Sequence, residues 1–181
     1  MPPSTRPSQT ELSARPATNN PPPPQTFPPK EPASQTLRLD IGGGTLPRDG
    51  HVNLDPVHGV GGWLRRAQDT PWPTGDATVE AIHSSHCLEH IPAGEARLAV
   101  MNEAWRVLVP GGIFEIRVPR FPHPAAIADP THVSYWVRES FGYFTGENAA
   151  DADYGIRLWK LKRIEQSDWE IHAWLMKPRG D

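Results

Sequence analysis

The sequence predicts a small single α/β domain whose sheet is mostly parallel and closes with a C-terminal antiparallel hairpin. Three observations predict it. A strand-like run, Leu37 to Ile41, passes straight into Gly42-Gly43-Gly44. Short apolar runs then alternate with one long amphipathic stretch, and two last apolar runs, Leu158 to Ile164 and Trp169 to Met176, are separated only by Glu165 to Asp168.

Residues 1–36 hold half of the chain's 22 prolines, among them Pro21 to Pro24, interleaved with Ser, Thr and Asn and almost no large apolar residue. Such a segment buries too little surface to offset the entropy of ordering. It is expected to be a disordered Pro-rich tail, and residues 37–181 the folded domain. A second strand is expected at His51 to Asp55, before Pro56, with too few residues between it and Gly44 for a full first helix. Trp63 to Gln68 fits strand or helix, and Val79 to Ser84 is strand-like. Pro92 is expected to open a helix in which Leu98, Met101, Trp105 and Leu108 share a face, with Glu95, Arg97, Glu103 and Arg106 on others. Pro110-Gly111-Gly112 should end it, and Ile113 to Val118 should be the next strand. Phe121 to Thr131 reads as a loop and Ser134 to Phe144 as a short aromatic-rich helix.

Composition narrows the function classes. The net charge is -3 over 181 residues, so a general grip on nucleic acid by counterion release is not written into the chain. Arg65, Arg66, Arg117, Arg120 and Arg138 leave a local basic face open, so nucleic acid remains a possible acceptor. No segment reaches the ~20 apolar residues of a bilayer span, and the N-terminus lacks the apolar stretch of a secretory peptide. A soluble, cytoplasmic protein with no membrane partner is expected. The one cysteine, Cys87, excludes an internal disulfide framework.

The chemistry-bearing residues form an ordered set. The glycines after Leu39-Asp40-Ile41 sit where a missing Cβ lets the backbone approach a ligand. Asp55 closes the second strand, where a carboxylate could accept both hydroxyls of a ribose. Asp69 follows the third apolar run and could accept from an adenine amino group. A nucleoside laid across the carboxyl edge of a parallel sheet would meet all three.

With these pieces in this order, the chain resembles class I S-adenosylmethionine-dependent methyltransferases of the group called methyltransferase type 11. The resemblance rests on Leu39 to Gly44, Val52 to Asp55, Asp69 to Pro73, Ile82 to Ile91 around Cys87-Leu88-Glu89-His90, Arg106 to Gly112, and Asp129-Pro130-Thr131-His132. It covers roughly residues 37 to 176 and implies a Rossmann-like core, S-adenosyl-L-methionine as cofactor, and methyl transfer. It further implies Asp40, Gly42 and Gly44 along the methionine part, Asp55 at the ribose, Asp69 and Thr70 at the adenine, and Ser84, Ser85 and His86 beside the sulfonium. Gly43 departs from the family, which more often has Cys or Ser there.

Other readings of the same residues are weaker. A nicotinamide fingerprint wants a third glycine at a helix start, which Leu46-Pro47 does not supply. His86, Cys87 and His90 lack the second ligand pair of a zinc site, and no metal is expected. A methyltransferase-fold scaffold without catalysis is the alternative to an enzyme. If the acceptor is a hydroxyl or amine, His132 and His123 are the candidate general bases, with Asp129 orienting one of them. The acidic balance favours a small molecule, sugar or peptide as acceptor. Few residues remain for a substrate domain, so the acceptor site is either open or completed by a second subunit in a homodimer.

Overall fold

The computed structural model describes residues 36–148 and 154–180, so all but the last residue of the expected N-terminal tail lies outside the described residues. Seven strands form one sheet: β1 (Leu37–Ile41), β2 (Val52–Asp55), β3 (Gly62–Leu64), β4 (Val79–Ser85), β5 (Leu108–Pro119), β6 (Lys160–Gln166) and β7 (Glu170–Met176). Their order is β3-β2-β1-β4-β5-β7-β6. The first five are parallel, while β7 runs antiparallel to both β5 and β6. The chain steps outward from β1 to β3 and then returns to β4 on the other side of β1, which puts the switch point between β1 and β4.

The period-two pattern of the strands decides their two faces. Ile82 and Ser84 of β4, Phe114, Ile116 and Val118 of β5, and Ile171, Ala173 and Leu175 of β7 are fully buried. Their neighbours His83, Glu115, Arg117, His172 and Trp174 are half-buried and carry the polar groups. On this second face Glu115 accepts from Arg48 Nη1 at 2.7 Å and pairs with His172 Nε2 at 2.9 Å. A cavity of about 530 Å³ opens there, lined by Arg38, Arg48, Asp49, His51, His83 and Glu115 among others.

Among the described residues, no helix links β1 to β2, β2 to β3 or β3 to β4. Four glycines and Pro47 in the ten residues from Gly42 to His51 explain the first of these connections. Among the described residues the one helix longer than a turn is α1 (Glu95–Val107), between β4 and β5. It starts three residues later than Pro92 suggests, and its buried stripe is Val100, Met101, Ala104 and Val107, with Leu98 and Trp105 at the margin. Glu103 is a correction to the amphipathic reading. It is 7% exposed, because its Oε1 accepts the Trp72 backbone N–H at 2.6 Å and its carboxylate takes the Arg106 guanidinium.

α1 ends two residues before Val109-Pro110 as expected, but the next strand starts earlier than Ile113. Val107 is the last helical residue, and β5 begins at once with Leu108, so Pro110-Gly111-Gly112 is a bulge inside the strand. Lys177 completes that helix end, since Pro110 has no N–H to offer the Arg106 carbonyl. Its buried Nζ donates to the Leu108 carbonyl at 2.7 Å and reaches the Arg106 carbonyl, a cation at the helix C-terminus. The aromatic segment folds as a 3-10 turn (Arg138–Phe141) and α3 (Gly142–Thr145), and the loop before it contains one turn, α2 (Pro124–Ile127). Trp136, buried and packed on Phe141 and Phe144, fastens this region to the domain, with the Arg97 guanidinium 4.2 Å from its ring. No helix among the described residues is long and apolar enough to cross a membrane.

Candidate active site

β1, β2 and β4 end side by side, since Ile41 lies opposite Leu54 on one flank and Ser84 on the other. The carboxyl edge therefore gathers Asp40, Gly42, Gly44, Asp55, Ser84, Ser85 and His86. The Gly42 backbone N–H donates to the Leu54 carbonyl at 2.9 Å, turning the chain over the end of β2. Gly42 has φ of 75°, and a Cβ there would lie 2.6 Å from Cys87 Cβ and Sγ. Glycine is thus required twice, by backbone conformation and by the close pass of the β4 edge. A Cβ on Gly43 would lie 2.7 Å from both Asn53 Oδ1 and Asp40 Oδ2. This crowding leaves no room for a side chain at Gly43.

The hub beneath the turn is Asn53, fully buried, which the sequence reading passed over. Its Oδ1 accepts the Gly43 N–H at 3.1 Å, and its Nδ2 donates to the carbonyls of Gly44 and His58. The signal was present: a polar residue between Val52 and Leu54 of a buried strand must find partners. Asp55 binds the same loops. Its Oδ1 accepts the N–H groups of Val57 and His58 at 2.8 and 2.7 Å, and its Oδ2 accepts that of Gly44 at 3.2 Å. Asp40 Oδ2 accepts the Arg48 N–H at 2.7 Å, and its Oδ1 meets His83 Nδ1 at 3.0 Å.

Asp69 and Thr70 are exposed in the turn after β3. Trp72 holds that turn: its indole Nε1 donates to the Ala67 carbonyl at 2.8 Å while its backbone N–H anchors to Glu103. His86, at φ of 51°, stacks on Trp169 and lies between two carboxylates, 2.9 Å from Glu170 Oε1 and 3.4 Å from Glu89 Oε1. The Glu89 carboxylate raises the His86 pKa against the opposing effect of burial, and Glu170 adds to the rise. Burial pushes the Cys87 thiol up to about 12, with the carboxylates of Glu89, Asp55 and Asp40 adding to it, so Cys87 is no nucleophile at neutral pH.

Of the loop residues, Asp129 and His132 come together and His123 stands apart. His132 Nε2 is 3.9 Å from Asp129 Oδ2, and its Nδ1 donates to the Ala126 carbonyl at 3.1 Å. His123 Nδ1 instead accepts the Ala125 N–H, capping α2.

Solved structures share this architecture. A SAM dependent methyltransferase from Archaeoglobus fulgidus superposes with a TM-score of 0.59 at 14% identity, over 80% of this chain and 87% of that one. One from Aquifex aeolicus gives 0.54 at 14% identity, over 78% and 82%. The 1,6-didemethyltoxoflavin-N1-methyltransferase of Burkholderia thailandensis gives 0.57 at 16% identity, over 78% and 71%. The comparison with curated proteins finds no match. Residues 52–116, from β2 into β5, match the family model described as a methyltransferase domain. The chain has the fold of class I methyltransferases.

The acids of this domain give its stability a sign with pH. Burial tends to raise the pKa of Asp40, Asp55 and Glu115, yet bonds from His83 and Arg48, from the three loop N–H groups, and from Arg48 and His172 respectively hold all three below their ordinary values. A lowered native pKa means that the unfolded chain takes up protons first. The stabilisation is therefore complete above the unfolded carboxylate range of about 4 and is lost as pH falls through the native values. The melting temperature is expected to hold down to about pH 5 and then fall, with Asp55→Asn flattening that fall; an unchanged melting temperature at pH 3 would contradict it.

Proposed function

We propose that this methyltransferase domain transfers the methyl group of S-adenosyl-L-methionine to an oxygen or nitrogen of a small molecule, sugar or peptide. The meeting of the Gly42–Gly44 turn, Asp55 and the Ser84–His86 edge at the β1/β4 switch point supports this reading. The donor set suits a cationic nucleoside. Asp40 and Asp55 are held ionised, and Asp55 Oδ2 takes only one long bond, from Gly44, leaving it free to accept a hydroxyl. Asp40, Gly42 and Gly44 would hold the methionine part, Asp55 the ribose, Asp69 and Thr70 the adenine, and Ser84, Ser85 and His86 the sulfonium end. The bound cofactor supplies an electrophilic methyl group.

The protein's part is then alignment of the acceptor with that methyl group. Where an acceptor proton must leave, the Asp129–His132 pair takes it, directly or through a water held there, with the second nitrogen of His123 as the remaining candidate. A small acceptor suits the acidic chain, and the Burkholderia thailandensis neighbour is named for a small heterocycle. One observation favours the scaffold alternative: Asp40 and Asp55 already accept five bonds from the protein's own groups.

Incubation with donor labelled in its methyl group and with a fractionated cell extract tests the proposal. Label is expected in the fraction of small molecules and short peptides. Label confined to RNA, or none in any fraction, would overturn the assigned acceptor class.

A further inference from the structure

Glu89 is the most anomalous side chain among the described residues. It is 1% exposed, and neither carboxylate oxygen has a hydrogen-bond partner. Its neighbours are imidazoles that stop short: His86 Nδ1 is 3.4 Å from Oε1 and His132 Nε2 is 3.9 Å from it. A buried carboxylate whose nearest partners are imidazoles at 3.4 and 3.9 Å is incompletely compensated, which leaves it able to take a further cationic partner.

The two histidines around it are set as ligands. His132 donates its Nδ1–H to the Ala126 carbonyl, which leaves Nε2, the nitrogen turned to Glu89, with its lone pair. His90 is fixed the same way. Thr131 Oγ1 gives its hydrogen to Asp129 Oδ1 at 2.6 Å, so it accepts from His90 Nδ1 at 3.0 Å, and the Thr131 carbonyl accepts from the same nitrogen. Nε2 of His90 therefore also carries a lone pair. A backbone carbonyl or equivalent acceptor on the far nitrogen is what orients metal-bound imidazoles. One ligand atom from each of Glu89, His90 and His132 already lies within 4.8 Å of the others, and the two rings meet edge to face at 4.8 Å.

The chain holds these groups in place without relying on the side chains themselves. The N–H groups of Val133 and Ser134 both donate to the Glu89 carbonyl, and Ser134 Oγ donates to Leu88 O, so the loop bearing His132 is pinned to the 3-10 turn Leu88–His90. We propose that Glu89, His90 and His132 bind a divalent transition-metal ion of the zinc class. Two imidazole nitrogens and one carboxylate oxygen are a ligand set that zinc uses, and three protein ligands leave a fourth position for water or Asp129. Bound ligands sit about 3.4 Å apart around a tetrahedral zinc, so the cluster contracts on loading. The ion neutralises Glu89 and ties the 129–134 loop to the end of β4. A loaded His132 cannot also serve as the base named above, so the two roles exclude each other and His123 is the candidate base of the loaded protein.

The test uses the full chain stripped with a chelator and titrated with Co²⁺ and, separately, Zn²⁺, without methyl donor. One equivalent of Co²⁺ is expected to give the visible absorption of a four- or five-coordinate nitrogen and oxygen site, and Zn²⁺ to raise the melting temperature. Glu89→Gln and His132→Ala should each weaken binding at least about a hundredfold, while His58→Ala should not. Glu89→Gln keeps the side-chain shape and removes the unpaired charge, so its metal-free form should melt no lower than wild type. No Co²⁺ spectrum with no Zn²⁺ shift, or equal affinity in Glu89→Gln and wild type, would overturn the proposal. Donor binding by the stripped protein is measured separately, so either reading can fail alone.

Discussion

Asp55→Ala is expected to abolish binding of S-adenosylmethionine and to loosen the turn between β1 and β2. The carboxylate accepts three backbone N–H groups, from Gly44, Val57 and His58. Hydrogen bonds to a charged acceptor are worth about 1.5–3 kcal/mol each, and relaxation of the loops toward water recovers part of that, so a net loss of roughly 2–4 kcal/mol is expected. Asp55→Asn separates the two effects. Its oxygen can keep the Val57 and His58 bonds, but its amide then sets a donor against the Gly44 N–H. That variant should fold nearly as well as wild type and still bind donor at least about thirtyfold more weakly, the equivalent of one charged hydrogen bond. Chemical denaturation and calorimetry on the two variants check both parts.

Trp72→Ala is expected to cost the most stability, about 3–5 kcal/mol for a large aromatic truncated in a core. Trp72 is 2% exposed, and its indole holds the Ala67 carbonyl across the turn that carries Asp69 and Thr70. Against a total stability of about 5–15 kcal/mol, this brings the domain near its folding threshold. Phe114→Ala is the control, because Phe114 is equally buried in β5 yet holds no part of that turn. Both variants should show a lower urea midpoint, and only Trp72→Ala should lose donor affinity among the molecules still folded. Equal donor affinity in the two would remove Asp69 and Thr70 from the site.

Most strands were legible in the sequence because alternation marks them: β1, β4, β5 and β7 fall within a few residues of where it places them, and β6 follows from its apolar run beside β7. The glycine turn was legible because it follows directly on the alternating run Leu37 to Ile41. What periodicity cannot show is a tertiary partner. Glu103 looks like a solvent-facing residue of α1 until Trp72 arrives from 31 residues earlier to occupy its carboxylate. Pro110-Gly111-Gly112 marks the end of α1 correctly, but not that Lys177, brought back by β7, binds the carbonyls there. The metal-like cluster is of the same kind. Sequence proximity directs attention to His86, Cys87 and His90, but the second imidazole comes from His132 across a separate loop, and the carboxylate is the residue between them that no spacing rule marks.

Calorimetric titration of the wild-type chain with S-adenosylmethionine tests the central claim most directly, namely that the ends of β1, β2 and β4 hold a sulfonium nucleoside. Saturable heat with one donor per chain, absent in Asp55→Ala and retained in His58→Ala, is the predicted result. A folded wild-type protein that gives no heat of binding would contradict it.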